Sequence, residues 1–145
     1  MDWNHDIIPA LLAVVCGAVI GLERQFKHKP AGLRTNIMIC LGAAVFTIIS
    51  REMASGGQDS ITRIAAQIVT GVGFLGAGAV IQDRGGIHGL TTAATIWLMA
   101  SIGMACGAKF YGLAIFSTIL ALVVLVGLGR VDKYLERNDE QHKSH

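Results

Sequence analysis

Five stretches of this 145-residue chain contain no Asp, Glu, Lys or Arg: residues 7–22, 35–50, 64–82, 85–108 and 110–129. They are 16, 16, 19, 24 and 20 residues long, and together they take up most of the chain. A helix that crosses a bilayer needs about 20 predominantly apolar residues. The pattern predicts five transmembrane helices in an all-α integral membrane protein. The 16-residue stretches rise only about 24 Å, short of the roughly 30 Å hydrocarbon core, so they must borrow flanking residues. Trp3 can sit at one interface, and Arg24 and Lys27 can snorkel at the other. The stretch 85–108 is longer than necessary and is expected to begin with a loop and to tilt.

The composition agrees. Charged residues make up 15% of the chain and hydrophobic ones 52%, whereas an ordinary soluble domain carries roughly 25% charge. That excludes low-complexity disorder. The 18 glycines have no three-residue period, which excludes collagen. One domain is expected over residues 1–130, followed by a short charged tail, 131–145. A cleaved signal peptide would need a positive start. Residues 1–6 carry Asp2 and Asp6 and no Lys or Arg, so the first apolar run reads as a permanent span.

Lys and Arg counts in short loops set orientation. With five spans, nine fall on one side (Arg24, Lys27, Lys29, Arg34, Arg84, Arg130, Lys133, Arg137, Lys143) and three on the other (Arg51, Arg63, Lys109). The N-terminus is therefore expected outside and the tail in the cytoplasm. Topology accounts for the basic excess, so no nucleic-acid partner is expected. Cys16, Cys40 and Cys106 fall inside spans, are odd in number and form no CxxC. They read as small packing residues.

The sequence also repeats. Gly-Ala-Val-Ile at 17–20 returns at 78–81, Glu23-Arg24 returns as Asp83-Arg84, and Gly-Leu-Arg-Thr at 32–35 returns as Gly-Leu-Thr-Thr at 89–92. Spans one and two, and spans three and four, read as two copies of one hairpin related about the membrane normal, with span five outside the repeat. The Gly-Val-Gly-Phe-Leu-Gly run at 71–76 matches a dinucleotide fingerprint in letters only. That reading needs a preceding strand and a soluble βαβ unit. Instead, Gly17, Gly21, Gly71, Gly73, Gly76 and Gly78 are expected to serve helix packing within the chain or against a partner. The sharper alternative is a broken helix whose freed carbonyls bind an ion.

Polar residues gather towards the cytoplasmic side: Glu23, Arg24, Arg34, Asp83, Arg84, His88, Thr91 and Thr92. The plain reading is interfacial anchoring with surface ion pairs, worth about 0–1 kcal/mol each. The functional reading is a site, with Glu23 and Asp83 as candidate Mg²⁺ ligands or the arginines as headgroup ligands. If the repeat holds, Glu23 should reach Arg34 or Arg84, and Asp83 should reach Arg24 or Arg34. No span contains an Asp, Glu, Lys or Arg, which counts against a coupled transporter. No nucleophile is paired with a base and no HExxH occurs, so no enzyme and no cofactor are expected.

Four blocks, at 17–25 (Gly-Ala-Val-Ile-Gly-Leu-Glu-Arg-Gln), 31–36 (Ala-Gly-Leu-Arg-Thr-Asn), 71–81 and 89–94 (Gly-Leu-Thr-Thr-Ala-Ala), resemble the membrane domain of the MgtC/SapB family over roughly residues 7–130. The resemblance implies a multi-pass protein of the bacterial inner membrane with a cytoplasmic C-terminus. It implies a link to growth at low Mg²⁺, stress adaptation and virulence, through contact with membrane partners such as the F-type ATP synthase. Longer members carry a soluble domain after span five, where only the short tail is expected here. The leading expectation is a non-enzymatic regulator surrounded by membrane lipid, forming a homo-oligomer, with a dimer favoured. The alternative is a small transporter or channel for Mg²⁺ or another ion. A polar cavity between the hairpins would favour transport, and a dry glycine-packed interface would favour the regulator.

Overall fold

The computed structural model describes residues 3–53, 58–83 and 86–143. Within the described residues five helices follow one another: α1 (Trp3–Phe26), α2 (Leu33–Met53), α3 (Gln58–Gly78), α4 (Leu90–Gly107) and α5 (Tyr111–Lys143). Between α3 and α4 lies a small antiparallel hairpin, β1 (Ile81–Asp83) and β2 (Gly86–His88), pairing Ile81 with His88 and Asp83 with Gly86. The loop expected at the start of the fourth stretch is therefore this hairpin, and α4 begins only at Leu90. Among the described residues four helices are long and apolar enough to cross a membrane: Asp6–Phe26, Leu33–Met53, Leu90–Gly107 and Tyr111–Gly129. The third helix carries a shorter apolar stretch, Ala65–Gly78, because Gln58, Asp59 and Arg63 make its first turns polar.

The turn from α1 to α2 and the turn from α4 to α5 are built alike. In the first, His28 N–H donates to Gln25 O and Lys29 N–H to Arg24 O, with His28 at φ 51°. In the second, Lys109 N–H donates to Cys106 O and Phe110 N–H to Ala105 O, with Lys109 at φ 66°. Both are Schellman caps in which a basic residue takes the left-handed position usually given to glycine. At Lys109 the cationic residue follows the negative end of the helix dipole, which offsets part of the backbone cost. At the start of α4 the left-handed residue is Gly89, at φ 89°. A Cβ there would run into the Ala79 carbonyl, so the hairpin and α4 can meet only at a glycine.

Helices α2 and α4 form the centre. α1 packs on α2 and α4, α3 packs on α4 and α2, and α5 lies against α1 and α4. This is the packing order expected of two hairpins and an added helix. Their sequence landmarks do not share local structure, however. Gly-Ala-Val-Ile lies mid-helix at 17–20, whereas at 78–81 it leaves α3 and enters β1. Helix α1 continues for six residues beyond Ile20, whereas in the second copy the β-hairpin replaces those turns. Gly32 and Gly89 are equivalent, each immediately preceding a central helix.

The main core joins Ala13, Cys16 and Ile20 of α1, Cys40 and Ala44 of α2, Met99, Ile102, Ala105 and Cys106 of α4, and Ala114 and Ala121 of α5. Small side chains dominate because the backbones nearly touch. A Cβ on Gly17 would lie 2.8 Å from Ile37 Cα, and one on Gly21 would lie 2.7 Å from Leu33 Cα. A Cβ on Gly107 would lie 2.5 Å from the Ala44 carbonyl oxygen, and one on Gly103 would overlap the Cys40 carbonyl. Glycine permits this approach, and dispersion between the backbones stabilises it. A Cβ on Gly76 would make only ordinary contact with Ala93, at 3.7 Å from its carbonyl oxygen.

Gly71, Gly73 and Gly78 do not pack within the chain, since a Cβ on any of them would meet nothing within 4 Å. Ala77, four residues beyond Gly73 on the same side of α3, is likewise exposed. The reason is helical phase. Ile68, Val72 and Gly76 recur every four residues on the inner face of α3, so Gly71 and Gly73, one step either side of Val72, turn outwards. Helix α5 is held most loosely. Only 17% of its spanning window is buried, against 50% for α4, and Leu113, Phe116, Leu120 and Val124 on its outer side are exposed.

Candidate functional site

One end of α1 carries charge into the helix packing. Glu23 and Arg24 occupy its closing turns, directly below the Gly17–Gly21 seam that draws α2 against α1. Close packing buries both, with Glu23 at 9% and Arg24 at 4% exposure. Arg24 Nη2 donates to Thr92 Oγ1 of α4 at 2.8 Å. Lys27, one turn beyond Glu23, places Nζ 2.6 Å from Glu23 Oε1. The same Nζ donates to the Leu125 carbonyl of α5 at 2.9 Å. Gly129 makes room for this reach, because a Cβ there would stand 3.2 Å from Lys27 Nζ. Asn36, fully buried in the first turn of α2, donates its Nδ2 to Gly32 O at 2.9 Å and also to Ala31 O.

The cluster thus ties α1 to α4 through Arg24 and to α5 through Lys27, while Asn36 of α2 holds the α1–α2 turn through the Ala31 and Gly32 carbonyls. It is not fully satisfied. Both Glu23 carboxylate oxygens, Arg24 Nε and Asn36 Oδ1 are buried without a hydrogen-bond partner. For Glu23 Oε1 the short approach of Lys27 is an ion pair without hydrogen-bond direction. A buried polar atom left unpaired costs about 1–3 kcal/mol.

Sequence reasoning gathered Glu23, Arg24, Arg34, Asp83, Arg84, Thr91 and Thr92 into one cluster. Glu23, Arg24 and Thr92 do come together. Arg34 stands apart: it is exposed and forms no ion pair among the described residues. It lies two residues before Asn36, hence on the opposite side of α2. Thr91 is exposed, and its carbonyl accepts from Thr95 Oγ1 at 2.7 Å. The Asp83 side chain and the whole of Arg84 lie outside the described residues, as does the side chain of Trp3. The expectation that Glu23 and Asp83 share a metal falls there too. Among the described residues no group of three or more His, Cys, Asp and Glu is placed to hold a metal ion.

Three features escaped the sequence reading. Lys27 bridges Glu23 and α5, where it was expected only to snorkel. Gly103 and Gly107 form the tightest seam, and their GxxxG spacing was legible. At the opposite end, Arg51 pairs with Asp6 at 2.6 Å and donates to the Gly107 carbonyl at 2.8 Å, joining α1, α2 and α4. No local spacing connects residues 6, 51 and 107.

The model of the MgtC family matches residues 10–134. The chain belongs to the MgtC family. Like its family, it is a multi-pass membrane protein. Among curated MgtC relatives, the protein named "Protein MgtC" of Brucella abortus (strain 2308) is 46% identical over 112 residues, 77% of this chain and 46% of its own length. The protein named "Putative magnesium transporter YhiD" of Escherichia coli (strain K12) is 48% identical over 122 residues, 79% of this chain and 56% of its own. An uncharacterised protein of a Synechocystis strain is 37% identical over 135 residues, 93% of this chain and 57% of its own. The chain thus spans about half the length of the curated relatives it matches. No solved structure matches it.

Proposed function

We propose that this MgtC-family chain is a non-enzymatic regulator of the bacterial inner membrane, tied to magnesium limitation and acting through helix contacts with membrane partners. One observation carries the reading: the helix seams are closed by glycine against backbone. Gly17 and Gly21 close α1 on α2, and Gly103 and Gly107 close α4 on α2, leaving a core of alanine, cysteine, isoleucine and methionine. An ion in transit would need polar groups along such a path. The groove of about 160 Å³ between α3 and α4 is lined by Val69, Val72, Trp97, Ala100, Ser101 and Met104, and its surface is almost wholly apolar.

The outward face of α3, with Gly71, Gly73 and Gly78, is the surface we assign to contact with a second copy or another membrane helix. The Lys and Arg asymmetry supports an outside N-terminus and a cytoplasmic tail. The relatives' names supply the link to magnesium. A second reading, Mg²⁺ transport, is favoured by one observation, the buried Glu23 carboxylate without a hydrogen-bond donor.

Copurification in mild detergent tests the regulator reading. Gly73→Leu should abolish a specific membrane-protein partner, or self-association, while leaving the monomer folded. Unchanged association would remove α3 as the contact surface.

A further inference from the structure

The three cysteines meet. Cys16 comes from α1, Cys40 from α2 and Cys106 from α4, all in one apolar core and none more than 3% exposed. Within that core Cys106 interacts with both Cys16 and Cys40. The glycine seam sets this up. Gly103 seats α4 on the Cys40 carbonyl, and Gly107, next to Cys106, seats it on Ala44. Among the described residues these thiols do not form a group placed to hold a metal ion, so the chemistry open to them is between one thiol and another.

We propose that this cluster is an intramembrane disulfide site in which Cys106 is the obligatory member, joining either Cys16 or Cys40. The oxidant is a membrane-soluble quinone. Two thiols give up two protons and two electrons, the sulfur–sulfur bond forms, and the quinone leaves as quinol: 2 R–SH + Q → R–S–S–R + QH₂. Reactants and products are neutral, so the net reaction leaves no charge in an apolar interior. Thiols buried in apolar surroundings are inert to polar reagents, which is why a lipid-soluble oxidant is the matching class. A disulfide spans about 4.4–6.8 Å between Cα atoms, a separation that only closely packed helices offer. Its formation would lock α4 to α1 or to α2.

The test uses the full chain in mild detergent, treated with decylubiquinone, then denatured and labelled with a polyethylene-glycol maleimide that counts free thiols on a gel. Wild type is expected to fall from three labels to one, with dithiothreitol restoring three. Cys16→Ala and Cys40→Ala should each fall from two labels to none. Cys106→Ala should keep both of its labels. Three labels on treated wild type, loss of labels from Cys106→Ala, or a disulfide-linked dimer would each overturn the proposal. If Cys106→Ala fails to fold, the other two variants decide, and retention of both labels by either one overturns it.

Discussion

Arg24 of α1 donates to Thr92 of α4 across 68 residues of sequence, at 2.8 Å, with both side chains buried. The bond crosses from the first helical hairpin to the second at the level where α1 ends. It is the polar counterpart of the glycine seams, placing a charged group where helices touch and making its partner part of the fold.

Thr92→Val should therefore destabilise the protein by about 1.5–3 kcal/mol, the range for a hydrogen bond to a charged group. Thr92→Ser should restore most of it. Thermal unfolding in detergent reads both, and equal melting temperatures for Val and Ser would show that the bond contributes nothing.

Gly103→Ala should cost about 1–3 kcal/mol, because its Cβ must displace the Cys40 carbonyl. Gly71→Ala should leave stability unchanged or slightly raised, since nothing lies within 4 Å and alanine favours the helix by about 1 kcal/mol. Monodispersity on size exclusion after a temperature ramp separates the two. A Gly71 variant as damaged as Gly103→Ala would contradict the assigned seams.

Much of this was legible and some was not. Long uncharged stretches mark membrane helices because lipid tolerates little else, and four of the five met that requirement. The turns of α1 and α4 were readable only as loops, because His28 and Lys109 do the work of the glycine that usually signals a Schellman cap. For the glycines of α3 the choice between inner and partner packing was not legible, because spacing shows which residues share a face but not which face turns inwards. The phase of Ile68 and Val72 decided that. The Arg51 bridge to Asp6 and Gly107 depends on where three helix ends arrive, which is tertiary information.

That bridge yields a graded expectation. Arg51→Ala removes both the ion pair and the bond to the Gly107 carbonyl, whereas Asp6→Ala removes only the pair. The partners are partly exposed, at 25% and 14%, so the Asp6 variant should lose no more than about 1 kcal/mol. Arg51→Ala should lose clearly more. Chemical denaturation of both variants and their double mutant checks the order, and equal losses would show that the carbonyl bond is idle.

Lys27 should govern how firmly α5 is held. Lys27→Met releases the Leu125 carbonyl and leaves the buried Glu23 without its cation. The double variant Glu23→Gln, Lys27→Met should be more stable than Lys27→Met alone, because an uncompensated buried charge costs more than an absent pair. Amide exchange along α5 should speed up in the single variant. Unchanged exchange would place the hold on α5 elsewhere.

The central claim is that the glycine-closed helix bundle is a contact scaffold and not a path for ions. Purified chain reconstituted into lipid vesicles around a Mg²⁺-sensitive dye, with Mg²⁺ added outside, tests it most directly. The dye signal should rise no faster than in protein-free vesicles. Faster entry that Glu23→Gln abolishes would contradict the claim and establish transport.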